Sequence, residues 1–207
     1  MRMAPQYKLT YFDVKGLGES IRYLLSYGGL EFEDVRVEKD DWPAMKDSTP
    51  LSQLPILEVD GKVLFQSVAI AAYLGEVIGI SGSNALENWE INAVSDTLND
   101  FKFKLFSWRF EQNETKKAAD KETLLKETLP FYVGKFEQWV KSNKGYLAIG
   151  KLTWIDILFV AIVDVFDDFF AKEWGLQSLL DEYPNLQAHR KKILEIPRIQ
   201  EWRTKHP

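Results

Sequence analysis

The sequence predicts an α/β unit followed by an all-α bundle, and three observations predict it. Residues 1–79 alternate short β-prone runs with helical patterns, in the order β-α-β-α-β-β-α. The Gly- and Ser-rich stretch from Ile78 to Leu86 then breaks that alternation, so residues 80–86 are expected to be a linker. Across residues 87–207 strand signals nearly vanish, and apolar residues recur at steps of three and four.

Taken in order, Tyr7 to Phe12 alternates and is β-prone, which predicts the first strand. A two-glycine loop, Gly16-Leu17-Gly18, leads into a helix that carries Ile21, Leu24, Leu25 and Tyr27 inward and stops at Gly28-Gly29. Phe32 to Val37 is a second strand. Asp40-Asp41-Trp42-Pro43 is expected to begin a short helix with acidic caps. The next stretch, Leu51 to Leu74, is the one the chain is organised around. Ile56–Val59 and Val63–Phe65 are strands joined by the two-residue turn Asp60-Gly61. Ser67 is expected to cap the helix that follows, with Val68, Ala71, Ala72 and Gly75 on one face.

In the second part, Ile91, Val94, Leu98, Phe101 and Leu105 form one apolar helical stripe beside Asn92, Asp96, Asn99 and Asp100. The Lys- and Glu-rich run around Lys116 to Lys121 is expected to bridge helices at the surface. Leu124 to Val140 reads as one long helix with Leu129, Phe136 and Trp139 inside. Thr153 and Asp156 have capping-box spacing, with Leu152 as a staple on Ile157. The helix behind them, ILFVAIVDVF, is apolar nearly all round and is expected at the centre of the bundle. Shorter helices are expected at Asn185 to Leu194 and Pro197 to Lys205.

Composition removes several chemistries. The 207 residues contain no cysteine, so disulfides, thiolate metal sites and a cysteine nucleophile of the chain's own are excluded. Two histidines, His189 and His206, leave little room for a histidine triad or a zinc centre. A net charge of −5 argues against a nucleic-acid partner or an anionic membrane surface. No run is apolar for the roughly 20 residues needed to insert into a bilayer, and no apolar leader opens the chain, so a cytoplasmic protein is expected.

By themselves the residues from Leu51 to Leu74 read first as a plain hairpin packed under a helix, with Trp42 in the core and Lys46 in solvent, but they also suit an anion and a peptide. A helix N-terminus presents unpaired N–H groups and partial positive charge, so the start of the helix at Ser67 suits a carboxylate. A cis bond at Pro55 would hold the Leu54 backbone outward, offering N–H and C=O to an extended peptide. Trp42 and Lys46 are four apart on one helical face and can converge on one ligand.

Five motifs fall in one order: Tyr7-Lys8-Leu9-Thr10-Tyr11-Phe12; Asp41-Trp42-Pro43; Leu54-Pro55-Ile56-Leu57-Glu58-Val59-Asp60-Gly61; Gln66-Ser67; and Thr153-Trp154-Ile155-Asp156. In that order they resemble the cytosolic glutathione transferases, most closely the sigma class of insect transferases and glutathione-dependent prostaglandin D synthases. The resemblance runs from Tyr7 to Pro207. Met3 is a second plausible start, and Met1-Arg2 a short extension before it.

The resemblance implies a thioredoxin-like N-terminal domain, an all-helical C-terminal domain and a homodimer. It implies glutathione as cosubstrate, with no permanently bound cofactor and no metal. Tyr11 aligns with the catalytic tyrosine, whose hydroxyl donates to the glutathione sulfur and favours its thiolate. Gln66 and Ser67 would bind the γ-glutamyl carboxylate, and Leu54, beside Gln53 and cis Pro55, would pair with the cysteinyl backbone. Trp42 and Lys46 would meet the glycyl end, and Asp100 would reach across the dimer to the γ-glutamyl amine. Phe12, Val14, Leu17, Lys102, Phe106 and Trp108 are candidates to line the pocket for a small apolar electrophile, or are ordinary packing.

Two departures stand out. Asn99 replaces a third acid of the prostaglandin synthases, which argues against a cation beside Asp96 and Asp100. Leu17 replaces an arginine near the active-site tyrosine, which makes the pocket less polar and favours the insect-type members. Conjugation, lipid-peroxide reduction and prostaglandin isomerisation all fit this chemistry. A non-catalytic binder of apolar ligands and a crystallin-like structural protein are the other classes; intact Tyr11, Gln66 and Ser67 argue against the latter. Thr153 and Asp156 are read as structural.

Overall fold

The computed structural model describes residues 5–206, so Met1-Arg2 and the start at Met3 lie outside the described residues. The first unit has β1 (Tyr7–Phe12), α1 (Gly18–Gly28), β2 (Phe32–Val37), α2 (Trp42–Met45), β3 (Ile56–Val59), β4 (Lys62–Phe65) and α3 (Ser67–Val77). The four strands form one mixed sheet in the order β2-β1-β3-β4. β1 runs parallel to β2 and antiparallel to β3, and β3 and β4 form the hairpin. Asp60 and Gly61 both have positive φ, 50° and 82°, as a tight two-residue hairpin turn requires.

Helix content then takes over: α4 (Ala85–Arg109), α5 (Glu114–Thr123), α6 (Leu129–Ser142), α7 (Trp154–Phe166), α8 (Lys172–Trp174), α9 (Pro184–Leu194) and α10 (Pro197–Lys205). Among the described residues no helix is long and apolar enough to cross a membrane. α7 is buried along its whole length. α1 and α3 pack on it from the first unit, and α4 and α9 from the second. α3 crosses α7 at Gly75, where a Cβ would stand 2.4 Å from Trp154 Cδ1. Only hydrogen fits there.

The start of α7 is a polar knot inside this core. Asp156 Oδ2 accepts from the Thr153 amide at 2.8 Å and the Thr153 hydroxyl at 2.9 Å. Its Oδ1 accepts from the Leu147 amide at 2.8 Å and lies 2.9 Å from His189 Nε2. A carboxylate is affordable in an apolar core only when its lone pairs are met in this way.

Several local expectations need correction. Ser67 is the first helical residue of α3, and the cap position belongs to Gln66, at φ 69° and ψ 107° with no side-chain capping bond. The buried face of α3 is Ile70, Ala71, Leu74 and Gly75, with Val68 and Ala72 partly buried. Asp41 precedes α2 with helical dihedrals and no side-chain capping bond. The stretch from Lys116 to Lys121 is itself helical, within α5; Asn113 caps it by accepting from the Lys116 amide at 3.0 Å. Leu124–Thr128 is a wider π-helical turn between α5 and α6. Pro130, in the first turn of α6, lacks the N–H that would continue the α ladder, which accounts for the widening. A second π turn, Asp167–Ala171, joins α7 to α8.

Asp156→Ala is expected to lower the free energy of unfolding by about 3–5 kcal/mol, because it orphans two buried amides together with their partners. Asp47→Ala, at an exposed position, should change it by less than about 0.5 kcal/mol. Chemical denaturation of both variants checks the contrast.

Candidate functional site

Tyr11 stands next to last in β1, with its ring under the loop that leads into α1. The loop lies so close that a Cβ on Gly16 would stand 2.5 Å from Tyr11 Oη, and one on Gly18 2.5 Å from Tyr11 Cδ1. Gly16 also has φ 42°, which any side chain would strain. The two glycines therefore let the loop close over the ring. Closure brings the Leu17 amide to 3.0 Å from Tyr11 Oη, where it donates a hydrogen bond. The hydroxyl's own proton has no acceptor among the described residues.

Tyr11 is 8% exposed, and burial pushes its pKa up against the opposing pull of the Leu17 amide and the Arg22 charge. A phenol shifted upward stays protonated near neutral pH, so Tyr11 is a hydrogen-bond donor there and not a tyrosinate base.

Leu17, whose amide meets this hydroxyl, also lines a cleft of about 60 Å³ together with Leu51, Gln53, Leu54, Pro55, Phe65, Gln66 and Ser67. The Leu54–Pro55 peptide is cis. The Gln66 carbonyl accepts from the Ile70 amide at 2.9 Å, closing the first turn of α3. The amides N-terminal to Ile70 have no partner inside the helix, and they give its start a partial positive charge. Thus Leu17, Gln53, Leu54, Pro55, Gln66 and Ser67, read from separate parts of the sequence, share one cleft. Leu51 and Phe65 join them with no expectation attached. An apolar residue left half exposed at the end of an edge strand is the signal that marks Phe65.

The other candidates are more dispersed. Trp42 is half-buried and meets Phe12 edge-on, with ring centroids 5.4 Å apart. Lys46 is exposed, and its amide donates to the Trp42 carbonyl, which preserves the one-turn offset although the chain tightens into a 3₁₀ turn there. Asp96 and Asp100 are exposed on α4. Val14 is exposed in the loop that follows β1. Phe106 packs on Phe110, Phe166, Phe169 and Phe170. Trp108 takes the packing alternative: it is buried against Phe170 and Trp174 and donates its indole N–H to the Lys117 carbonyl at 2.8 Å. Arg22, not singled out in the sequence, and Gly16, read there only as a loop glycine, prove to shape the surroundings of Tyr11.

Lys102 is half-buried, and burial lowers its pKa. A lysine whose pKa is lower in the folded than in the unfolded chain opposes folding while charged. That cost is complete below the folded pKa and disappears above the unfolded one. Lys102→Met is therefore expected to be more stable than the parent at pH 7, with the difference shrinking as pH rises toward the ordinary lysine range. Denaturation curves at pH 7 and at alkaline pH read this directly.

The glutathione S-transferase N-terminal domain family matches residues 7–76, and its C-terminal domain family matches residues 99–206. A glutathione S-transferase of Anopheles gambiae is 41% identical over 203 residues, covering 98% of each chain. The human hematopoietic prostaglandin D synthase is 35% identical over 209 residues, again covering 98% of each. The solved structure of prostaglandin synthase D of Nilaparvata lugens superposes with a TM-score of 0.89 at 46% identity, covering 98% of each chain. With full-length relatives at this identity and both domain families matched in order, the chain belongs to the glutathione S-transferase family.

Proposed function

We propose that the protein activates the thiol of glutathione through Tyr11 and directs the thiolate at a small apolar electrophile. One observation carries this reading: Leu17 joins the two halves of the site. Its amide holds the Tyr11 hydroxyl at 3.0 Å while its residue lines the cleft with Gln53, Leu54, Gln66 and Ser67. A tripeptide thiol bound in that cleft would have its sulfur near the one proton Tyr11 has to give. A donor aimed at sulfur favours the charged form, so the thiol loses its proton at lower pH. The nucleophile then belongs to the cosubstrate, as a cysteine-free chain requires.

In this reading Ser67, Gln66 and the free amides of α3 receive the γ-glutamyl carboxylate. Leu54, beside Gln53 and Pro55, pairs with the cysteinyl backbone. Trp42 and Lys46 meet the glycyl end, and Asp100 serves the γ-glutamyl amine of the partner subunit in a homodimer. Residues 1–79 act as the glutathione-binding domain and 87–207 as the helical domain, whose Lys102 and Phe106 join Phe12, Val14 and Leu17 around the electrophile. Glutathione is a cosubstrate, and a cytoplasmic setting suits thiol chemistry. The sigma class fits the insect transferases and prostaglandin D synthases among the relatives. Conjugation ranks above prostaglandin isomerisation because Leu17 stands where those synthases carry arginine.

The thiolate absorbance of bound glutathione, followed against pH, tests the proposal. The parent protein should bring the thiol pKa below its ordinary value of about 8.5, and Tyr11→Phe should restore it. Binding with an unmoved pKa would leave Tyr11 as packing and the protein as a binder. The same substitution should reduce kcat/KM about a hundredfold, the usual cost of deleting one preorganised donor. Ser67→Ala should instead weaken glutathione binding about tenfold or more, as expected for one hydrogen bond to a charged group, and leave the thiol pKa of the bound fraction low.

A further inference from the structure

Tyr11 is touched by a second, longer chain of contacts that begins at the far end of the sequence. We propose that Trp202 is a positioning residue for Tyr11, acting through Glu19 and Arg22. The indole N–H of Trp202, on α10, donates to Glu19 Oε1 at 3.0 Å. Glu19, buried in the first turn of α1, uses its other oxygen to accept from Arg22 Nη1 at 3.1 Å. The same Arg22 Nη1 donates to the Val14 carbonyl at 3.0 Å, which anchors the loop carrying Gly16 and Leu17. Arg22 Nε is held by Asp34 of β2 at 3.0 Å. The guanidinium carbon then stands 5.9 Å from the centre of the Tyr11 ring.

Each link has a physical reason to be stiff. The Arg22 side chain is completely buried, and Glu19 and Asp34 compensate its charge. Glu19 sits between two donors, and losing one would leave its negative charge leaning more fully on Arg22. That would weaken the positive field Arg22 casts on Tyr11. The Trp202 ring packs against two others, lying 5.3 Å from the Phe32 ring and stacked at 3.8 Å on His206. Leu17 supplies no charge of its own to the site, so Arg22 is the cation that acts on Tyr11. The last helix of the bundle thereby reaches the hydroxyl at the end of the first strand without touching it.

The proposal deepens the reading of Tyr11 as the group that meets sulfur and rests on that reading for its functional meaning. Its geometry is tested without any ligand. Trp202→Phe keeps a ring against Phe32 while removing the N–H and one of the two fused rings; Trp202→Leu removes the N–H with a smaller side chain, so whichever variant folds decides the matter. The Tyr11 phenol is titrated by ultraviolet difference against matched Tyr11→Phe proteins. The expected result is an upward shift of the Tyr11 pKa by roughly a few tenths of a unit, less than the about 1–3 units that a full charge at close range produces. The shift should be absent when Trp202→Phe is made on a Glu19→Gln background, which removes the carboxylate charge through which the effect passes. An unchanged or lowered Tyr11 pKa, with only the melting temperature reduced, would overturn the proposal and leave Trp202 as packing. The thiol pKa of bound glutathione separates the two readings: if the parent protein fails to lower it, the glutathione reading falls while the Tyr11 titration still decides the relay.

Discussion

A helix that is apolar on every side has to be enclosed by other elements, and α7 imposes that requirement on this chain. Every one of its residues is buried. α1 and α3 close over it from the α/β unit, and α4 and α9 from the helical part. The enclosure is tight enough that Gly75 meets Trp154 with no space for a methyl group. Because α1 and α3 also begin at the site, burying α7 is what fixes where the Tyr11 loop and the start of α3 stand. Packing of this density transmits position, since an interior close to crystalline density has little slack to absorb a shift.

The polar groups inside this core show the same constraint from the other side. Asp156 is enclosed with four hydrogen-bonding contacts, one of them the Leu147 amide before the helix and one His189 on α9. Asp164, further along α7, lies 3.5 Å from the Tyr23 hydroxyl and is paired with Arg190. Arg22 is compensated by Glu19 and Asp34. Asp164 beside Tyr23 and Glu19 accepting from Trp202 join the α/β unit to the helices, while the other pairs tie each part together within itself. Their net contribution to stability is smaller than their geometric role, because desolvation offsets much of the attraction.

At the site, a small number of backbone facts do most of the chemical preparation. The loop over Tyr11 can close because glycine stands at positions 16 and 18. Closure gives the hydroxyl an amide donor, which occupies a lone pair and leaves the proton for another partner. Burial keeps that proton in place at neutral pH. Meanwhile the turn at Gln66 presents the first amides of α3 to the same cleft. The Tyr11 hydroxyl and the first amides of α3 are thus placed by a strand end and a helix start that belong to one sheet unit.

Much of this was legible in the sequence, because it rests on local rules. Period-two and period-3.6 patterns identify β1, β2, the β3–β4 hairpin and the stripe of α4, and Asp60-Gly61 specifies the turn. The order of short motifs led to the family. Other features depended on contacts that no local rule contains. Gln66 takes the cap position in place of Ser67, and the chain leaves β4 there with positive φ. The π turn before α6 follows from Pro130 inside a helix otherwise continuous from α5. Trp108 reads equally well as a pocket wall or as core, and packing on Phe170 and Trp174 decided for core. By itself, then, the sequence determined the elements, their order and the residue types able to do thiol chemistry. Tertiary structure alone decided which of those residues share a cleft and how Arg22, Glu19 and Trp202 come to stand behind Tyr11. The reason is that charge, burial and hydrogen bonding act over a few ångströms of space, across 183 residues of sequence in the case of Trp202 and Glu19.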